Sequence, residues 1–264
     1  PGAAWAKKVF PELSETDAIS ELAKAIFSIS RVDNPDPIGA WKLHQETLNE
    51  RQEWLNTQNF YALRYKAPGT DLEIGLADGH EWKGGASTAK NGITCTPNIP
   101  TEEVFTTPHS HRVNGVVRAS KPLVHRGTLI DGIEVVFEDG KITDAKASKG
   151  EEVFLNLIDT DEGARRLGEV ALVPHSSPIS KSGLLFYNTL YDENASSHIA
   201  LGQCYSKCFK DDIGINPEAV REAGGNSSNI HVDWMIGSER MDIDGITADG
   251  NIKSVMRGGE WSYK

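Results

Sequence analysis

Residues 187 to 205, YNTLYDENASSHIALGQCY, concentrate side chains that can hold ions or move protons: Asp192, Glu193, Asn194, His198 and Cys204, with Tyr187, Tyr191 and Tyr205. Phe186 and Leu190 flank the cluster on one side and Ile199, Ala200 and Leu201 on the other. A polar cluster clamped between buried anchors is how a chain fixes reactive side chains. A second polar pair, His231 and Asp233, interrupts the apolar run IHVDWMI at 230–236. On a strand, side chains at i and i+2 leave the same face about 6.7 Å apart at Cα. Two polar groups on an otherwise apolar face must satisfy each other or bind something. A buried His–Asp pair and a metal ion both meet that requirement.

If the answer is a metal, Glu103, Glu169 and His198 are the natural company. The set is then three carboxylates and two imidazoles, a mixed N/O donor set that suits zinc, cobalt or manganese rather than a soft-metal thiolate site. Five protein ligands exceed what one catalytic zinc usually takes and fit two ions sharing a carboxylate. Three carboxylates against two divalent ions leave a charge of +1, which a hydroxide would cancel. Glu102 and Glu103 lie in NIPTEEVFTTPHSHR at 98–112, which taken alone reads as a loop with solvated charge.

The 264 residues suffice for a large core, burying about 75% of the unfolded chain's surface. A net charge of −11 argues against nucleic acid or an anionic membrane as partner. No run approaches the ~18 apolar residues of a membrane helix, and no signal-like segment opens the chain. The cysteines are Cys95, Cys204 and Cys208. So low and odd a count points to a reducing, cytoplasmic setting rather than a disulfide framework. Cys204 and Cys208 leave a structural zinc site in a binding module as an alternative, opposed by the isolation of Cys95.

The elements that must position these groups read as follows. A helix is predicted over 14–30, with Ser14 or Thr16 as cap and Ile19, Leu22, Ile26 and Ile29 at helical spacing. A second starts at Asp36-Pro37 and packs through Ile38, Trp41, Leu48 and Leu55, with His44 on its solvated side. Alternation then switches to strands. A hairpin spans 61–76, strands fill 113–148 with a turn at Asp139-Gly140, and short helices cover 151–159 and 161–166. A buried strand follows at Val170 to Val173, with Glu169 at its start. A short helix opens at Asn216-Pro217, and hairpins with turns at Asp244-Gly245 and Asp249-Gly250 close the chain. This is an α+β pattern: helices at the amino end, then a largely antiparallel, hairpin-rich sheet, over a single domain spanning 1–264.

Four segments, PTEEVFTTPH, LGEVALVPHSSPI, LYDENASSHIALGQCY and HVDWMIGS, together resemble the thermophilic-type metallo-aminopeptidase family of aminopeptidases T, S and II, and they occur in that family's order across 98–238. The resemblance implies a two-metal exopeptidase acting on peptides with a free amino terminus. It carries the ligands onto Glu103, Glu169, His198, His231 and Asp233, and the catalytic tyrosine onto Tyr205. It also implies a homodimer and a further amino-terminal domain in the full-length protein. This chain, which starts at Pro1, is therefore expected to be a catalytic portion truncated at its amino end. On this reading Tyr205 donates to the oxyanion. Glu102 is the expected general base, because it adjoins a ligand without matching one. His109, His111, His175, Asp192, Glu193 and Asn194 are expected to orient ligands or substrate. A metal-binding but inert fragment remains the alternative within the same resemblance.

Overall fold

The computed structural model describes residues 1–210 and 216–263. Helices Ala3–Val9, Glu15–Ile29 and Pro37–Gln58 open the chain. The Ser14 hydroxyl accepts the Asp17 N–H at 3.2 Å, so Ser14 rather than Thr16 caps the second helix. The Asp36 carboxylate accepts the Gly39 N–H at 2.9 Å, with Pro37 in the first turn, where its missing N–H costs nothing. Leu48 and Leu55 of the third helix are fully buried, whereas Ile38, in the first turn, is 71% exposed.

Strand pairing dominates the chain from Ala62 onward, and it is antiparallel throughout the described residues. An eight-stranded sheet runs in the order Lys141–Lys146, Glu134–Glu138, Pro108–Arg118, Thr70–Leu76, Ala62–Ala67, Asp242–Ile246, Ile252–Arg257, Glu260–Trp261. A five-stranded sheet runs His231–Met235, His198–Gly202, Leu167–Leu172, Val104–Thr106, Lys83–Gly84. One apolar core joins them: Leu63, Tyr65 and Val117 from the larger sheet, and Val170, Leu172, Ile199, Leu201 and Trp234 from the smaller. Each fully buried Ile or Leu there stabilises the fold by about 1.5–3 kcal/mol. The first two helices build a separate cluster with Ile179, Phe186 and Ala195, which braces the 187–205 stretch.

Several local expectations change in the tertiary context. The 98–112 stretch is no solvated loop: Val104–Thr106 is a wholly buried central strand, and Pro108 begins another strand. Proline is tolerated at a strand's first residue, where no ladder N–H is lost. Glu169 lies inside strand Leu167–Leu172 rather than at its start. Asp244-Gly245 is no turn but the middle of a strand, where a Cβ on Gly245 would stand 2.4 Å from the Phe60 ring. Asp249-Gly250 does turn the chain. Among the described residues no helix is long and apolar enough to cross a membrane.

Candidate metal centre

The register of the five-stranded sheet assembles the site. Glu169 lies opposite Ala200, and Ala200 opposite Asp233, so both carboxylates leave one face with a methyl group between them. His231 lies opposite Gly202, and His198 opposite Ala171, on that same face. Phe105, opposite Ala171, extends the face to the strand that Glu103 leads into. Small residues thus carpet the ground between the polar ones. Alternation sends Val170, Leu172, Ile199, Leu201 and Trp234 the other way, into the core. A bulge separates Leu167 from Glu169. A Cβ on the intervening Gly168 would stand 2.4 Å from the carbonyl oxygens of Gly202 and Gln203, so the bulge that aims Glu169 requires glycine.

The polar atoms converge. His198 Nε2 lies 3.1 Å from Glu103 Oε2 and 4.0 Å from Glu169 Oε1. His231 Nε2 lies 3.4 Å from Glu169 Oε2 and 3.5 Å from Asp233 Oδ1. Two ligand groups result, Glu103–Glu169–His198 and Glu169–His231–Asp233, each with donor atoms within 4.8 Å of one another, and they share Glu169. Both imidazoles are held from behind: Nδ1 of His198 donates to the Ser196 carbonyl at 3.1 Å, and Nδ1 of His231 to the Gln203 carbonyl at 2.7 Å. Nε2 is therefore the atom presented to the carboxylates, the arrangement expected of metal-binding histidine.

The donor set fits divalent cations. Among the described residues no Lys or Arg pairs with Glu103, Glu169 or Asp233, and buried carboxylates without a cation are costly. Protons fill the role in the ion-free chain. Burial opposes charge on both imidazoles, yet the adjacent carboxylates prevail and push His198 up to about 10 and His231 up to about 11. Burial also pushes Glu169 up to about 7, against its hydrogen bond to His231. Asp233 moves down despite its burial, because His231 hydrogen-bonds it. The cysteines take no part: no Cys joins either ligand group, Cys204 and Cys208 are buried free thiols, and Cys95 is exposed.

These groups line a cavity of about 500 Å³. Tyr205 stands in its wall, 41% exposed, with its ring centroid 4.8 Å from that of His231 and 5.8 Å from that of Phe105. Burial and the surrounding carboxylates raise the phenol above its ordinary value, so it keeps its proton. Glu193 lines the same cavity. Burial, then Asp233 and Glu103, push it up to about 9. The sequence placed Glu193 only among the orienting residues; its one signal was a position five residues before His198 in the polar stretch.

Other expected residues sit elsewhere. Glu102 does not line the cavity and is clasped by Arg31, whose Nη1 and Nη2 donate at 2.5 and 2.9 Å; its two oxygens are engaged by the guanidinium. His44, expected to be solvated, is half-buried beside that pair, its Nε2 donating to the Thr101 carbonyl at 2.6 Å. His109 and His111 lie on the larger sheet's Pro108–Arg118 strand, their rings 6.2 Å apart, and neither lines the cavity. His175 faces Glu239 at 3.4 Å, also outside it. Asp192 shapes the turn, accepting the Phe186 and Asn188 N–H groups at 2.7 and 2.9 Å. Asn194 joins that turn to the Glu103 segment by accepting the Glu102 N–H at 2.7 Å.

Similar proteins share this arrangement of sequence and fold. Aminopeptidase T of Thermus thermophilus is 55% identical over 257 residues, 97% of this chain and 62% of that protein. Aminopeptidase 2 of Geobacillus stearothermophilus is 48% identical over 264 residues, 100% of this chain and 64% of that protein. The chain therefore spans 62% to 64% of the length of these relatives. The solved structure of wild-type AmpT from Thermus thermophilus matches with a TM-score of 0.93 at 53% identity, over 100% of this chain and 64% of that one. A 2,5-dihydroxypyridine dioxygenase from Pseudomonas putida KT2440, 12% identical with a TM-score of 0.54 over 82% of this chain and 59% of its own, shares the fold alone. The family model described as thermophilic metalloprotease (M29) matches residues 1–261, and the chain belongs to that family.

Proposed function

We propose that this chain carries the catalytic centre of an aminopeptidase that releases amino-terminal residues from peptides with the help of two divalent ions. The observation that carries this reading is the pair of ligand groups joined through Glu169. One ion would be held by Glu103, Glu169 and His198, the other by Glu169, His231 and Asp233. Glu193 completes the charge balance: four carboxylates against two divalent ions sum to zero, so the +1 left by three disappears. Zinc, cobalt and manganese all suit these donors. When bound, such ions supply Lewis-acid polarisation of a carbonyl and of the attacking water.

The chain's own residues do the rest. Net reaction adds water across the peptide bond: its oxygen goes to the carbonyl carbon and a proton to the departing amine. Glu193, a buried carboxylate in the cavity wall, takes the proton from water and returns it to the leaving nitrogen. Tyr205, protonated at neutral pH, donates its O–H to the oxyanion that forms on the carbonyl. Ser196 and Gln203 carbonyls hold the imidazoles in place throughout. The homologues' names, aminopeptidase T and aminopeptidase 2, favour an amino-terminal site of cleavage.

The test measures metal content per chain and release of an aminoacyl anilide with cobalt added. Tyr205→Phe is expected to keep its ions and lose about 10²–10³ in turnover. Full activity in that variant removes Tyr205 from the mechanism. An ion-loaded native chain that releases nothing is instead a metal-binding module. That second reading draws on the chain spanning 62% to 64% of its relatives.

A further inference from the structure

The mouth of the cavity carries charge opposite to its floor. The chain as a whole is acidic at −11, and Glu103, Glu169, Glu193 and Asp233 face the cavity, yet Lys83, Lys207 and Lys210 line it too. The Lys83 charge is engaged by Glu81 at 2.6 Å. Lys207 is placed differently. Its ammonium lies 4.9 Å from the Phe105 ring centroid and 5.2 Å from that of Tyr205. Its turn, Ser206–Cys208, is pinned by the Cys208 N–H donating to the Tyr205 carbonyl at 3.0 Å, and by the buried Cys208 packing with Phe105 and Ala171. The ammonium thus stands over the Phe105 and Tyr205 rings in the cavity wall, beside the ring that faces His231.

We propose that Lys207 receives the free α-carboxylate of a dipeptide, which makes dipeptides the preferred substrates of this centre; the inference rests on the aminopeptidase reading above. With the scissile carbonyl at the Tyr205 phenol, a dipeptide's carboxylate follows the scissile nitrogen by about one residue length, ~3.3–3.6 Å. The ammonium, 5.2 Å from the centroid of the Tyr205 ring, is within reach of a group at that remove from the phenol. A longer peptide presents a neutral amide there, which accepts from the ammonium but lacks the attraction between opposite charges. An apolar stem would cover the two rings as well as lysine does, so ring covering alone asks for no charge at this position.

The experiment compares leucylglycine with leucylglycinamide on the metal-loaded native chain, Lys207→Met and Lys207→Arg. In the Met variant kcat/KM for the acid is expected to fall about tenfold more than for the amide, through KM rather than kcat. The Arg variant should restore the native ratio of acid to amide. An equal fall for both substrates, or no change in either, overturns the assignment and leaves Lys207 as a cover for the rings. Should the native chain hydrolyse neither compound, the aminopeptidase reading fails separately. Calorimetric binding of acid and amide to the native and Met chains then decides the lysine, and equal affinities overturn it.

Discussion

Glu102 and Glu103 are consecutive in the chain and serve opposite sides of it. Glu103 Oε2 lies 3.1 Å from His198 Nε2 in the cavity, whereas Glu102 receives both terminal nitrogens of the Arg31 guanidinium at 2.5 and 2.9 Å. The Glu102 N–H also binds Asn194, the residue after Glu193, so the Glu102 backbone ties together the segments that carry two cavity carboxylates. The Arg31 pair makes Glu102 a brace, and in the proposed mechanism proton transfer falls to Glu193.

This division separates two isosteric substitutions. Glu102→Gln leaves the Arg31 charge without its partner. Breaking a buried pair in this way costs about 3–5 kcal/mol, expected as an earlier urea midpoint. Turnover per folded molecule should stay near native. Glu193→Gln should reverse the pattern, with a near-native midpoint and turnover lower by about 10²–10⁴. A Glu102 variant that is fully stable and inactive would return that residue to the chemistry.

Ion removal should couple to pH. In the ion-free fold, Glu169 is raised from 4.5 to about 7 and Glu193 from 4.5 to about 9. His198 and His231 are raised from 6.5 to about 10 and about 11. The folded chain then binds more protons than the unfolded one, so its stability falls as pH rises. The histidine contribution is complete below pH 6.5 and is lost as pH climbs through about 10 and 11. Lowered Asp233 works in the opposite sense, but only below its ordinary value of 3.8. Ions displace these protons and remove the dependence. The gap in Tm between cobalt-loaded and chelated chain is expected to widen from about pH 6 to about pH 9. A gap that narrows over that range would count against the ligand set.

His44 gives a third handle, away from the ions. Burial lowers its pKa from 6.5, with Glu102 pulling up and Arg31 pushing down. Its Nδ1 faces Arg31 Nη2 at 3.3 Å and Nε2 donates to the Thr101 carbonyl, so the neutral ring is the form that fits. A histidine depressed in the fold contributes stability above its unfolded pKa and loses it as pH falls toward the folded one. The stability advantage of the native chain over His44→Gln should therefore shrink between about pH 7.5 and pH 5. Parallel denaturation curves at the two pH values check this, and a constant difference contradicts it.

Local rules were readable because they act over a few residues. Ser14 and Asp36 cap helices through side chains that reach N–H groups three residues on. His231 and Asp233 share a face because a strand has period two. The same rules misread Asp244-Gly245, where the need was space for Phe60 across the sheet. They likewise left His44 on a solvated helix face, with nothing nearby in sequence to cover it.

By itself the sequence determined the α+β order of elements and the alternation that puts polar groups on one face of a sheet. Only the tertiary structure decided which acid faces the cavity. The Arg31–Glu102 pair joins positions 71 residues apart and the Glu102–Asn194 bond positions 92 apart. Neither partner's local surroundings encode the other. A carboxylate's role follows from whether a fixed cation or an open cavity meets it, and that is settled by packing between distant segments.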